Sequence, residues 1–342
     1  MAFSTIDKSS DYMNTVLYTG NATARSITGV GFQPDLLWIK DGTNSNSHQL
    51  ADAVRGATKV IVSDENYTET TDSNRISAFD SDGFSIGTNN NVNQSSANDV
   101  SWNWKANGSG SANTVGSVNS TVSVNATAGF SIVKFSAPSS GTFDVGHGLG
   151  VAPKCILMKR LNVSQNWICY WNILGSNKFI QLNTTNPENT NADMWQNTHP
   201  TSALFYSDVS QIGASGDYIA YCFSEISGYS KFGKYKANDS DYPNSPFIYT
   251  GFKPQFIMFK NISGTANWLI TDNKRRTYNP TNLKLFANDD AAEATDEIAN
   301  LLSNGFKLDN SIGDINYSTN EYIYMAFGQP IISNSGVCAT AW

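Results

Sequence analysis

Three segments of this chain follow one pattern: "GVGFQPDLLWIKDG" from Gly29, "GLGVAPKCILMKRL" from Gly148 and "YTGFKPQFIMFKNI" from Tyr249. A pattern written three times constrains the fold more than any local propensity, because each copy must satisfy the same backbone. Aligned on proline, Pro34, Pro153 and Pro254 each follow a glycine by three residues (Gly31, Gly150, Gly251) and precede a lysine by six (Lys40, Lys159, Lys260). Glycine supplies a turn, and proline belongs at the start of a strand, where its missing N–H breaks no ladder bond. The apolar run that follows, such as Leu36, Leu37, Trp38 and Ile39, predicts a strand covered on both faces. The lysine is expected to return the chain to solvent.

A second anchor closes each copy: "DVSWNWK", "DYIAYCF" and "EYIYMAF". From the lysine to its last aromatic is 64 residues to Trp104, 64 to Phe223 and 67 to Phe327. A third anchor precedes each proline: "VLYTG" with Tyr18, "IVKFS" with Phe135 and "FGKYK" with Tyr235. These intervals define units of roughly 100 residues, the size of a β-sandwich. The expected fold class is all-β, with three tandem β-sandwich repeats of jelly-roll or lectin-like type and minor short helices. The expected boundaries are 1–105 for the first repeat, 106–128 for a Gly/Ser/Asn linker, 129–226 for the second repeat and 227–342 for the third with a C-terminal tail.

The linker could carry one extended strand in "STVSV". One stretch reads as helix, "DDAAEATDEIANLLSNG", with Ile298, Leu301 and Leu302 on one face, Asp289 or Asp290 as cap and Gly305 as stop. A short helix is expected at the matching "SNRISAFDSDG" of the first copy. The long first junction and the short second one, "EISGYSKFG", predict an uneven arrangement of the units, the last two rigidly joined.

Comparing copies within one chain exposes paired changes. Twelve and fifteen residues past the lysine stand Asp52 and Arg55 in the first copy and Asp272 and Arg275 in the third. In the second copy both are gone, replaced by Trp171 and Leu174. Joint loss predicts a salt bridge, because a lone buried charge is costly. Eight residues past the lysine stand His48, Trp167 and Trp268, a pattern that points to packing rather than chemistry.

Charged residues make up 15% of the 342 and the net charge is −7, against the clustered basic face that nucleic-acid binding needs. Polarity comes instead from Asn, Ser, Thr and Gly, the residues of turn-rich β structure. No apolar run reaches the roughly 20 residues of a membrane span, so no membrane insertion is expected. The start "MAFSTIDKSSDYMN" has no basic-then-apolar leader. Cys155, Cys169, Cys222 and Cys338 lack metal-ligand spacing. Cys155 and Cys222 read as small buried hydrophobes, and disulfides are not expected. His48, His147 and His199 share no repeat position. "GHGLG" opens no helix, the Asp289–Asp290 pair suits a helix start, and "FDSDGFSIG" lacks the twelfth-position glutamate of a calcium loop. No catalytic, cofactor-binding or metal residue is assigned, no cofactor is expected, and the reading is not an enzyme. Aromatic faces with amide and hydroxyl side chains also suit sugar recognition, and any recognition is expected in loops that differ between copies.

"YTGNATARSITGVGFQPDLLWIK", "HQLADAVRGATK", "SAFDSDGFSIG", "TAGFSIVKF", "VGHGLGVAPKCILMK", "ASGDYIAYCFSEISGYSKFGKY" and "YIYMAFGQP" together resemble an uncharacterised repeat domain family of tailed-bacteriophage virion and tail-fibre-associated proteins. The resemblance implies a virion structural protein, assembled in the host cytoplasm. It would be a tail-fibre or receptor-binding component that docks on other virion proteins as a homo-oligomer and contacts host surface glycan. Two alternatives are a capsid decoration (head-fibre) protein and a glycan depolymerase, the latter needing a carboxylate pair in a groove.

Overall fold

Each proline motif delivers the central strand of a sheet, and the three sheets are built alike. The computed structural model describes residues 4–332 and Gly336, and they are nearly all β. In the first copy β1 (Met13–Thr19), β2 (Leu36–Asp41), β3 (Gln49–Asp52) and β4 (Asn98–Trp104) lie in the order β1-β4-β2-β3. In the second, β5 (Phe130–Ala137), β6 (Cys155–Arg160), β7 (Ile168–Trp171) and β8 (Gly216–Phe223) repeat it as β5-β8-β6-β7. In the third, β9 (Ser230–Lys236), β10 (Phe252–Asn261), β11 (Trp268–Asp272) and β12 (Glu321–Pro330) do so as β9-β12-β10-β11. The register is the same each time: Leu36 faces Trp104, Cys155 faces Phe223 and Phe256 faces Phe327. Gly31, Gly150 and Gly251 have φ of 87°, 75° and 85°, the left-handed turn that glycine adopts without a Cβ penalty.

The apolar runs are covered on both faces, for a reason the period of a strand explains. One face of each central strand (Leu36 and Trp38; Cys155 and Leu157; Phe256 and Met258) enters a single core shared by all three copies. The other face (Leu37 and Ile39; Ile156 and Met158; Ile257 and Phe259) enters a separate core for each copy. Over those outer faces lie Arg25–Thr28 paired with Gly83–Ile86, Thr142–Gly146 with Leu204–Asp208, and Phe247–Tyr249 with Gly305–Leu308.

The three copies pack around a pseudo-threefold axis. Trp104, Phe223 and Phe327 meet in the shared core with ring centres 6.4, 5.9 and 5.9 Å apart, a mutually touching aromatic triad. The near-constant interval from lysine to aromatic places those rings. This corrects the expected uneven arrangement. The longer first junction does not hold its copies apart, because within residues 106–128 the expected strand is Ser120–Asn125, which with Ser111–Asn113 extends the second sheet.

The lysines also differ from expectation: Lys40, Lys159 and Lys260 are fully buried instead of returning to solvent. Each ammonium donates to carbonyls of its own turn and to one carbonyl of the neighbouring copy. Lys40 Nζ reaches Asp290 O at 3.1 Å, Lys159 Nζ reaches Asn66 O at 3.2 Å and Lys260 Nζ reaches Thr185 O at 2.8 Å. The order is cyclic: first copy to third, second to first, third to second. Burial pulls Lys260 down to about 7 and Lys159 to about 8.

Neither expected helix forms. Ala294–Leu302 is a strand paired with Thr281–Phe286 and Gly305–Leu308, which buries Ile298, Ala299 and Leu301. "SNRISAFDSDG" is likewise strand, Ile76–Asp80 turning into Gly83–Ile86. Alanine and glutamate favour helix in isolation, but two partner strands offer this segment a full ladder, and tertiary pairing outweighs propensity. The α-helix described is one turn, Asn90–Asn93.

Candidate functional site

The seams between copies hold the polar side chains singled out by the repeat. Arg55 Nε lies 2.5 Å from Asp52 Oδ2 with both side chains fully buried, and Arg275 Nε lies 2.7 Å from Asp272 Oδ2. A second carboxylate joins each arginine, Glu69 at 3.2 Å and Glu293 at 2.7 Å. The neighbouring copy completes each pair: Tyr221 Oη donates to Asp52 Oδ2 at 2.8 Å, and Trp102 Nε1 donates to Asp272 Oδ2 at 3.1 Å. Tyr221 and Trp102 occupy equivalent positions, two before the closing aromatic, where the third copy has Met325. Met325 cannot donate, and the cyclic order gives it the second copy, where Trp171 and Leu174 replace the ion pair. Two seams thus carry a satisfied ion pair, and at the matching place the third packs Met325 and Trp171 into the shared apolar core. The single-chain comparison identified the pair but missed its third member; the donor–donor–methionine series was its signal.

His48 repeats the role of the tryptophans at its position. Trp38 Nε1 donates to His48 Nδ1 at 2.8 Å, which leaves the proton on Nε2, 2.9 Å from Phe286 O of the third copy. Burial holds this imidazole well below its usual pKa, so it is neutral. Trp167 Nε1 donates to Val62 O and Trp268 Nε1 to Gln181 O, at 2.8 and 2.9 Å, across the other two seams. All three rings therefore bridge copies by one N–H donor. His147 accepts from Leu149 N and faces Thr201 O, while His199 Nδ1 lies 2.6 Å from Tyr170 Oη, so the three histidines stand apart. Asp82 of "FDSDGFSIG" accepts from Gly29 N and Gly31 N, closing the turn before Pro34. Asp289 accepts from Ala291 N in a turn, and Asp290 gives its carbonyl to Lys40. Cys155, Cys169 and Cys222 are buried free thiols; Cys338 lies outside the described residues.

The seam between the first and third copies opens into a cleft of about 320 Å³. Its walls include Leu17, Tyr18 and Asp99 from the first copy and Arg275, Leu283 and Glu293 from the third. Asp99 stands on β4, directly across from Tyr18 on β1 and Asp41 on β2. It is 2% exposed, and neither carboxylate oxygen has a hydrogen-bond partner among the described residues. Burial pushes its carboxyl up to about 8, Asp41 adds to the rise, and Lys40 and Arg25 oppose it. Asp41, by contrast, is satisfied by Thr43 N, Asn44 and Asn46. Sequence reasoning assigned no role to Asp99, although its place in the closing anchor was aligned.

The fold thus defines a class: an all-β protein in which three sheets of one topology share a central core. By sequence the chain belongs to the family described as "Domain of unknown function (DUF7483)", whose model matches residues 8–330 and so spans all three copies. Comparison with curated proteins and with solved structures gave no match. Among the described residues no helix is long and apolar enough to cross a membrane.

Proposed function

We propose that this chain is a bacteriophage virion structural protein, built of three tandem β-sandwich repeats of jelly-roll or lectin-like kind. It serves as a tail-fibre or receptor-binding component, docking on other virion proteins as a homo-oligomer and contacting host surface glycan. The observation that carries this reading is the ordered series of motifs, from "YTGNATARSITGVGFQPDLLWIK" to "YIYMAFGQP", that resembles the tail-associated repeat family. The geometry supports it in one respect. The elements that recur in all three copies are spent on the shared core and seams, which leaves the peripheral loops and the cleft between the first and third copies to meet a partner.

Immunogold labelling of purified particles with antibody to this chain tests the proposal. Label at the tail supports it, label over the capsid replaces it with head decoration, and unlabelled particles overturn it. Incubation of the purified protein with host polysaccharide tests its passive role: release of oligosaccharide would make it a depolymerase.

A further inference from the structure

At the cleft between the first and third copies, an ion pair present at the other two seams has lost its lysine. One glutamate at each seam donates its backbone N–H to the residue two past the buried lysine of the neighbouring copy. Glu69 N reaches Leu161 O at 2.8 Å, Glu188 N reaches Ile262 O at 3.3 Å and Glu293 N reaches Gly42 O at 2.8 Å, so the three are equivalent. Lys59 Nζ lies 2.8 Å from Glu69 Oε1, and Lys178 pairs with Glu188 Oε1. Glu293 Oε2 takes Arg275 at 2.7 Å, but its Oε1 has no partner among the described residues.

Strand register identifies what stands in the lysine's place. Leu50, Cys169 and Ile270, each ten residues past the buried lysine, face Ile61, Ile180 and Leu285. Two residues before those partners, on the same face of the strand, come Lys59, Lys178 and Leu283. On the edge strand of the adjoining copy, the residues facing Val100, Ile219 and Ile323 are Leu17, Lys134 and Lys234. The seam of the first and third copies therefore has leucine at both positions where the other two have lysine. The cleft of about 320 Å³ lies there, with Leu17, Val100 and Leu283 among its walls and Glu293 22% exposed beside them.

We propose that this cleft binds a primary ammonium on an unbranched aliphatic stem, as a lysine side chain or a free alkyldiamine carries. The ammonium takes Glu293 Oε1, and the stem lies against Leu17, Val100 and Leu283. The other seams supply the precedent, since Glu69 holds the Arg55 guanidinium on Oε2 and the Lys59 ammonium on Oε1 at once. The guanidinium of Arg275 on Glu293 is thus no bar to a second cation on the same carboxylate. A carboxylate oxygen accepts a charged N–H donor more strongly than a neutral one and repels an anion. The volume is at the small end of the range for ligand sites, roughly 300–1,000 Å³, which suits one stem. Leu17, 47% exposed at the sheet edge, leaves the apolar wall open to a ligand. The chain's net charge of −7 also favours a cationic ligand over an anionic one. Nothing in this site depends on where on a particle the chain resides.

Saturation-transfer NMR titrations on the purified full-length protein test it. The probes are Nα-acetyl-lysine N-methylamide and 1,5-diaminopentane. Nα-acetyl-norleucine N-methylamide, which keeps the stem without the ammonium, and butyrate are the controls. At least one ammonium probe is expected to bind, more weakly as salt is raised, and neither control is. Tighter binding of the blocked lysine supports the site with a partner protein as the source, and tighter binding of the diamine supports it with a free polyamine. Glu293→Gln should weaken binding about fivefold or more. Leu283→Lys, which restores the lysine of the other two copies, should abolish it by filling Glu293 Oε1 from within. That variant copies a pairing the chain already makes twice, so it keeps the test valid if Glu293→Gln does not fold. Silence from both ammonium probes, equal binding of the norleucine analogue, or binding untouched by these substitutions would each overturn the site. Because particle labelling is read separately, ammonium binding without label would retire the virion reading alone, and label without binding would retire the cleft alone.

Discussion

A carboxylic acid buried beside Asp41 without a donor weakens the fold whenever it ionises. In the unfolded chain an aspartate ionises near 3.9; in the fold Asp99 does so near 8, set by burial and by Asp41 against Lys40 and Arg25, with Tyr18 across the strand pair. Between those values the unfolded state holds fewer protons, so stability falls as pH rises and levels off above about 8. Asp99→Asn removes this dependence. Urea denaturation should show little gain near pH 4 and a gain on the order of 2 kcal/mol near pH 9; a gain independent of pH would show that Asp99 is not held neutral. The Asp52–Arg55 pair makes the opposite case, a charge fully matched. Arg55→Leu strands Asp52 and should cost about 3–5 kcal/mol, more than the double change Asp52→Trp/Arg55→Leu that copies the second repeat. Additive losses on denaturation would deny the coupling. That pair was legible because both members changed together, twelve and fifteen residues past the lysine. Its partner Tyr221 was not, because a hydrogen bond from a residue 169 positions away leaves no local pattern.

Strands read correctly from sequence were those whose own pattern was unambiguous. The glycine–proline–apolar series marks β2, β6 and β10 because turn chemistry and burial agree there. Ala294–Leu302 was misread because its alanines and acids match helical spacing, while the ladder that captures it comes from the strands on either side of it in the chain, Thr281–Phe286 and Gly305–Leu308, which its own pattern does not reveal. Lysine was misread for a related reason. Position after an apolar run normally signals exposure, but buried carbonyls of the following turn joined by one from another copy cannot be inferred from the run itself. Lys159→Met should therefore cost about 2 kcal/mol, as carbonyls of Asn66, Arg160 and Gln165 lose their donor. A loss below about 0.5 kcal/mol, typical of a surface site, would show that the ammonium does not staple the seam.

At the scale of the whole molecule the copies are interdependent. Phe130, Ile132, Leu157, Tyr221 and Phe223 of the second copy are buried in the shared core against Trp104, Phe256 and Phe327 of the others. A fragment of residues 129–226 would expose that whole face to water. It should show no cooperative thermal transition by circular dichroism, whereas the intact chain melts in one step. A fragment that folded alone would mean that the central core is an assembly of finished domains.

The sequence by itself determined that there are three equivalent sheets, where their central strands begin, and which ring of each copy lies a set distance downstream. These follow from local chemistry, since glycine, proline and period-two burial act within a few residues of one another. Only the tertiary structure decided that the three rings meet at one axis, that the lysines face neighbouring carbonyls and that Asp99 lines a cleft. Those outcomes depend on hydrogen bonds and apolar contacts between residues far apart in the chain, and such contacts exist only once all three copies have closed on their common core.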